Sequence, residues 1–162
     1  MQTMNDFINE YTTQLRKGQI QKAYKGIMTF MSGLKSNMGS KHPEYAASSL
    51  YFGYMDMTYF AFTPMELKKR HLKIAVVYLH EQNRFEVWLG GCNRKVQAEH
   101  IELFERRDIG DYRLSQVRPG VDSIIEMRIV DQPDFDNTEE LMLIIDSKVI
   151  EFAENIFLTL NK

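Results

Sequence analysis

The sequence predicts an α+β domain, a mostly antiparallel sheet of about four to six strands covered by N-terminal, middle and C-terminal helices. Three observations predict it. Both ends of the chain carry apolar residues at helical spacing. The stretch from Leu50 to Leu89 is rich in aromatic and β-branched residues, which fit a pleated surface. The order of patterns is helices, strands, helix, strands, helix, which lacks the strict alternation of a parallel sheet.

The elements follow in order. Asn5 or Asp6 caps a first helix running to about Lys17, since a short side-chain oxygen accepts from the free N–H groups of a first turn. Gly18 breaks or bends it. Ile20, Tyr24, Ile27, Met31 and Leu34 mark a second, amphipathic helix, and Asn37 to Pro43 reads as a loop. Leu50 to Phe62 reads as two strands meeting near Met55 and Asp56. Thr63-Pro64 opens a short helical turn, with Thr63 as cap and Lys68, Lys69 and Arg70 at its end. His71–His80 and Arg84–Gly90 form a hairpin. With the turn at Gln82-Asn83, His80 opposes Phe85 and Val77 opposes Trp88. Ile74, Val76, Tyr78, Phe85, Val87 and Leu89 then share a core face. The other face carries Lys73, Ala75, Val77, Leu79, Glu86 and Trp88, too apolar to be bare and too polar to be pure core. Asn93 caps a helix reaching about Arg107, Tyr112–Val117 is an edge strand, and Pro119-Gly120 turns into a strand over Ser123–Val130. Thr138 to Leu160 is the final helix.

Composition bounds the function. The 162 residues are 44% hydrophobic and 26% charged, which suits one soluble domain over residues 1–162 and excludes collagen-like, disordered and disulfide-rich classes. Cys92 is the single cysteine, so a reducing, cytoplasmic setting is expected. The start of the chain has no secretory pattern. The longest apolar runs, Ile74–Leu79 and Leu141–Ile145, are far short of the ~20 residues of a membrane helix. A net charge of −2 argues against a dedicated nucleic-acid binder. Residues 1–81 hold ten basic and six acidic side chains, and residues 82–162 hold ten and sixteen. That polarity is either ordinary solvated surface or a basis for homo-oligomer formation.

Motifs of known chemistry are absent. There is no phosphate-binding glycine loop, no dinucleotide fingerprint and no nucleophile elbow. The four histidines lack paired-ligand spacing, so no metal and no cofactor is expected. Glu86-Val87-Trp88 has the acidic strand residue of restriction-type nucleases but Trp88 where such a core wants lysine. Six residues remain as a candidate ligand-binding set: Asp56, Tyr59, Glu86, Trp88, Asn93 and Arg94. Asp56 lies among aromatics, where a carboxylate needs hydrogen bonds, so it is either a turn former or a polar anchor. Glu86 and Trp88 offer an anionic acceptor beside a flat apolar surface, suited to a cationic or aromatic ligand. Alternatively Trp88 packs and Glu86 pairs with Lys73 or Arg94. Cys92-Asn93-Arg94 starts a helix, where free N–H groups and a guanidinium suit an anion and lower a thiol's pKa.

The stretch Tyr51-Phe52-Gly53-Tyr54-Met55-Asp56-Met57-Thr58, with Leu72 to Ala75, Phe85 to Leu89, Asn93-Arg94, Asp122 to Glu126 and Pro133 to Asp136, resembles an uncharacterised bacterial family of domains of unknown function. The resemblance spans nearly the whole chain. It implies a small bacterial cytosolic protein and carries no functional residues to transfer. The expectation is a small-molecule or anion binding module with a pocket beside the sheet. One alternative is an enzyme with Asp56 or Glu86 as general base. The other is a protein–protein interaction or self-assembly domain.

Overall fold

The computed structural model describes residues 1–162. Five helices and six strands follow the order α1 (Met4–Arg16), α2 (Gln19–Lys41), β1 (Tyr45–Ala47), β2 (Met57–Pro64), α3 (Met65–Lys68), β3 (Leu72–Leu79), β4 (Arg84–Gly91), α4 (Arg94–Glu105), β5 (Arg113–Leu114), β6 (Ser123–Asp131) and α5 (Thr138–Leu160). The strands form one sheet in the order β1-β2-β3-β4-β6-β5, with every pair antiparallel. The α+β architecture is therefore the expected one.

Strand alternation gives the sheet two unlike faces. One face carries Phe60, Phe62, Ile74, Val76, Tyr78, Phe85, Val87 and Leu89, all buried. They form a single hydrophobic cluster with Phe30, Met31, Leu34 and Met38 of α2 and Leu141, Ile145, Val149, Phe152 and Ile156 of α5. Burying each such side chain stabilises by about 1.5–3 kcal/mol. Ala75 and Val77 are also buried but stand outside that cluster, on the opposite face. Polar ties lock the helices to one another. Arg107 donates to the carbonyls of Thr159 and Leu160 at the end of α5, at 2.6 and 3.2 Å. His42, just past α2, meets the buried Asp146 carboxylate of α5 at 2.8 Å.

Several local expectations are corrected. Thr3, not Asn5 or Asp6, caps α1; its hydroxyl accepts from Asp6 N–H at 3.2 Å while Asp6 accepts from Thr3 N–H at 2.9 Å. Reciprocal satisfaction of two free donors outcompetes a single cap. Helix α2 runs on through Asn37 to Lys41, because Met38 is fully buried and packing overrides the weak propensity of Gly39. Only one strand, β2, forms in residues 50–62, together with an isolated bridge between Tyr51 and Tyr59. Thr63 does not cap α3; its hydroxyl accepts from Ile74 N–H at 3.1 Å inside the sheet. The edge strand β5 is two residues long.

The hairpin pairs Val77 with Glu86 and Tyr78 with Phe85, closed by the four residues His80 to Asn83. The expected register is thus shifted by two residues. A two-residue slip preserves parity, so each side chain of β3 and β4 keeps its expected face.

Between β1 and β2, residues 48–56 make a strap along the sheet edge. Gly53 sits there at φ +77°, and a Cβ on it would lie 1.9 Å from the carbonyl oxygen of Met57. Gly53→Ala is expected to destabilise the protein by more than about 1 kcal/mol. Urea unfolding checks this as a lowered midpoint at unchanged slope.

Candidate functional site

The face of the sheet without helices carries a cleft of about 440 Å³. Its origin lies in side-chain size. Across one row, Ala61 pairs with Ala75, and Ala75 with Trp88. In the next row Lys73 pairs with Gly90, and Gly90 with Ser123. Small residues thus occupy the centre, and large ones stand around them. Tyr59 and Tyr51 form one wall, their ring centroids 5.0 Å apart. Trp88 forms the other, and the turn from Gly91 to Arg94 closes one end. Volumes of 300–1,000 Å³ are those of small-molecule sites.

Tyr59, Trp88, Asn93 and Arg94, all singled out from sequence, line this one cleft. Their roles differ from the expected ones. Asn93 is the N-cap of α4, its side chain accepting from Val96 N–H at 2.8 Å. Arg94 donates to the Val121 carbonyl and to Gln97 Oε1 at 3.0 Å, and its other terminal nitrogen is 3.2 Å from Asp122. Gln97, 2% exposed, donates to the carbonyls of Val121 and Ser123 at 2.8 and 3.0 Å. Arg94 and Gln97 together staple the start of α4 to the turn before β6. The guanidinium is therefore engaged by this chain's own acceptors.

Glu86 lies beside the cleft rather than lining it. It is 4% exposed, and both carboxylate oxygens are occupied. Oε1 accepts from the Trp88 indole N–H at 2.7 Å, and Oε2 accepts from Arg84 at 3.2 Å. Arg84 also donates to Asp131 at 2.5 Å. These two acceptors, with Asp131 first, push the guanidinium pKa up. The partner of Glu86 is thus Arg84, not Lys73 or Arg94. Its function is to fix the plane of Trp88.

Asp56 lies outside the cleft, in the strap. Its carboxylate accepts from Tyr54 N–H at 2.9 Å, and backbone N–H groups of Tyr54 and Met57 hold its pKa below the usual carboxylate range. This is a turn former. The same strap is pinned by Thr58, whose hydroxyl donates to the Phe52 carbonyl at 2.6 Å. Its proton being spent there, Thr58 Oγ1 must accept from His80 Nε2–H at 2.8 Å, which fixes the histidine tautomer. Burial pushes the His80 pKa down, against an opposing pull from Asp56.

Lys73 belongs to the mixed strand face, with Ala75 and Val77. Its stem lies over Gly90, 3.6 Å from where a Cβ would stand. It is the cleft cation that makes no ion pair. Its alternation with Ala75 and Val77 was the signal that could have placed it there. Cys92 is exposed at the cleft's end, its backbone N–H donating to the His71 carbonyl at 2.9 Å. No group of three His, Cys, Asp or Glu residues is placed to hold a metal ion.

Fold and cleft define a class: an α+β domain with a six-stranded antiparallel sheet, helices packed on one face and a concave, amphipathic cleft on the other. A family model described as a domain of unknown function (DUF7000) matches residues 4–160, and the chain belongs to that family. The resemblance to a family of domains of unknown function is borne out over nearly the whole chain. No curated protein and no solved structure matches it. No helix is long and apolar enough to cross a membrane.

Two predictions follow from these contacts. Glu86→Ala leaves the indole N–H without its acceptor and Arg84 with Asp131 alone, a loss of about 1–3 kcal/mol. Trp88 is the only tryptophan, so its fluorescence reports the change directly. Acrylamide quenching should rise in Glu86→Ala and stay near wild type in Glu86→Gln.

The second concerns pH. Folded His80 releases its proton more readily than an unfolded histidine at 6.5, so protonation favours the unfolded chain. Stability is complete above 6.5 and falls as pH drops from there to the lowered folded pKa. Asp56 acts lower, its contribution being lost only below 3.8. Urea midpoints at about pH 7.5 and 5.5 should differ in wild type and differ less in His80→Asn.

Proposed function

We propose that this domain binds a small organic anion in the cleft on the open face of its sheet. One observation carries the reading. An unpaired ammonium, Lys73, stands at the edge of an apolar slot between Tyr59 and an immobilised Trp88. A ligand with a flat apolar body and one carboxylate or comparable group fits that arrangement. The body stacks on the indole, which is held in place before binding and so loses little freedom. The charged group pairs with Lys73. Glu86 is buried and already engaged by Arg84 and Trp88, so the anionic ligand is favoured over the cationic one. The single free cysteine suits work in a reducing compartment, and the cytoplasm is the setting we infer.

Catalysis by Asp56 or Glu86 as general base finds no geometric support. Asp56 is held in its own turn outside the cleft, and the buried Glu86 accepts from Arg84 and Trp88. Binding is therefore the reading the side chains favour.

A thermal-shift screen of aromatic and aliphatic carboxylates tests it. A ligand at one hundred times its dissociation constant stabilises by about 2.7 kcal/mol, or roughly 5–10 °C for a chain of this size. The shift should vanish in Trp88→Ala and in Lys73→Glu while both variants still unfold cooperatively. A carboxylate shift that survives in both variants rejects the cleft as the site.

A further inference from the structure

A second cavity, of about 880 Å³, lies where α2, the β3–β4 turn and the loop before α5 meet. It shares no residue with the cleft. Its floor is aromatic. Phe30 and Tyr78 are buried there, and the half-buried Phe135 stands edge-on to both, at centroid distances of 5.4 and 5.7 Å. Along α2 the wall is low, because nothing lies within 4 Å of where a Cβ on Gly26 would stand.

Two polar side chains border the cavity at the end of the hairpin, both anchored on Tyr78. The His80 ring lies 5.0 Å from the Tyr78 ring, and Asn83 Oδ1 accepts from the Tyr78 hydroxyl at 2.7 Å. Each has capacity left. With Nε2–H given to Thr58, His80 Nδ1 is a bare acceptor that makes no hydrogen bond. Burial pushes the His80 pKa down, which keeps a proton off that nitrogen. The Asn83 amide N–H groups donate to nothing in the chain. Lys22 and Lys25 stand at the rim on α2, and neither forms an ion pair. Asp136 stands at the rim of the opposite loop, its carboxylate accepting no hydrogen bond.

We propose that this cavity binds a nucleoside monophosphate, its base edge held by His80 and Asn83 and its phosphate by Lys22 and Lys25. Every nucleobase places an N–H beside a ring nitrogen or carbonyl oxygen that accepts. A bare imidazole nitrogen beside a free amide N–H is the complement of that pair. The base plane lies against Phe135, as bases do on aromatic side chains, and the sugar hydroxyls donate to Asp136. The two ammonium groups supply point charges for the phosphate. A simple carboxylate fits less well, because the His80 lone pair repels it.

Calorimetric titration of the full chain with AMP, GMP, CMP and UMP at up to about 1 mM tests this. At least one should bind, and inorganic phosphate should bind at least about tenfold more weakly. Lys22→Glu with Lys25→Glu should weaken binding by at least about tenfold. His80→Gln keeps an amide donor for Thr58 but removes the free acceptor, and should weaken binding about three- to tenfold. Gly26→Leu should fill the cavity and block binding without loss of stability, since leucine is the better helix former. The lysine and Gly26 variants alter only exposed positions, so unchanged melting curves separate lost binding from lost folding. Trp88→Ala and Lys73→Glu should leave nucleotide affinity unchanged, which keeps this site distinct from the cleft. In long-range proton–nitrogen spectra the His80 Nδ1 resonance should move when nucleotide is added. Absence of binding by all four nucleotides overturns the proposal. So does binding that inorganic phosphate matches, binding lost with Trp88 or Lys73, or binding indifferent to the Lys22, Lys25 and Gly26 changes.

Discussion

Everything in this fold hangs on the alternation of side chains along β3 and β4. The central hairpin must present Ile74, Val76, Tyr78, Phe85, Val87 and Leu89 to the helices, and in doing so it turns Lys73, Ala75, Val77, Glu86 and Trp88 the other way. A slip of one residue would drive Lys73 and Glu86 into the core, at a desolvation cost no local contact could offset. A slip of two costs only the match of turn and ladder. Parity is thus strongly enforced and register weakly so, and the cleft inherits its composition from parity. The same alternation that builds the core also leaves alanine and glycine opposite tryptophan and lysine on the far face.

Buried polar side chains invite a functional reading, because burying them is costly. The two most suspicious ones here, Glu86 and Gln97, are both braces. Glu86 joins Arg84 to the Trp88 indole, and Gln97 joins Arg94 to the carbonyls of Val121 and Ser123 at the start of β6. Each is hydrogen-bonded to partners within the chain, which is how a buried polar group becomes a fixed strut. Their effect on the cleft is to hold its walls. The residue left over is Lys73, whose charge has no partner and whose stem crosses a glycine.

Where periodicity and end signals agree, the sequence is transparent. Asn93 caps α4 as its position before an apolar stripe demands, and α5 spans Thr138–Leu160 as read. The two faces of the hairpin were legible because a period of two is hard to mistake over eight residues. What was opaque depended on distant partners. Helix α2 outruns its propensity because the core holds Met38. The aromatics of residues 50–56 look like a strand, yet Gly53 and Met55 take positive φ and turn the chain into a strap. Four of six candidate residues meet in one cleft. Glu86 and Asp56 miss it because carboxylates seek donors, and local ones were at hand in Arg84, Trp88 and the Tyr54 backbone.

The placement of α1 bears on what the open face can receive. The cleft opens on the sheet face that no helix covers, and α1 leans on α2, whose buried side chains pack on the other face. Anything that covers α1 would therefore leave the cleft open to solvent. Pairing through the open face would instead bury Lys73, a lone charge with no acidic counterpart among the cleft's free groups, since Asp122 is already bound to Arg94. Burying an unpaired ammonium opposes association. Electrostatics thus favours a small anion over a second copy as the occupant proposed for the open face.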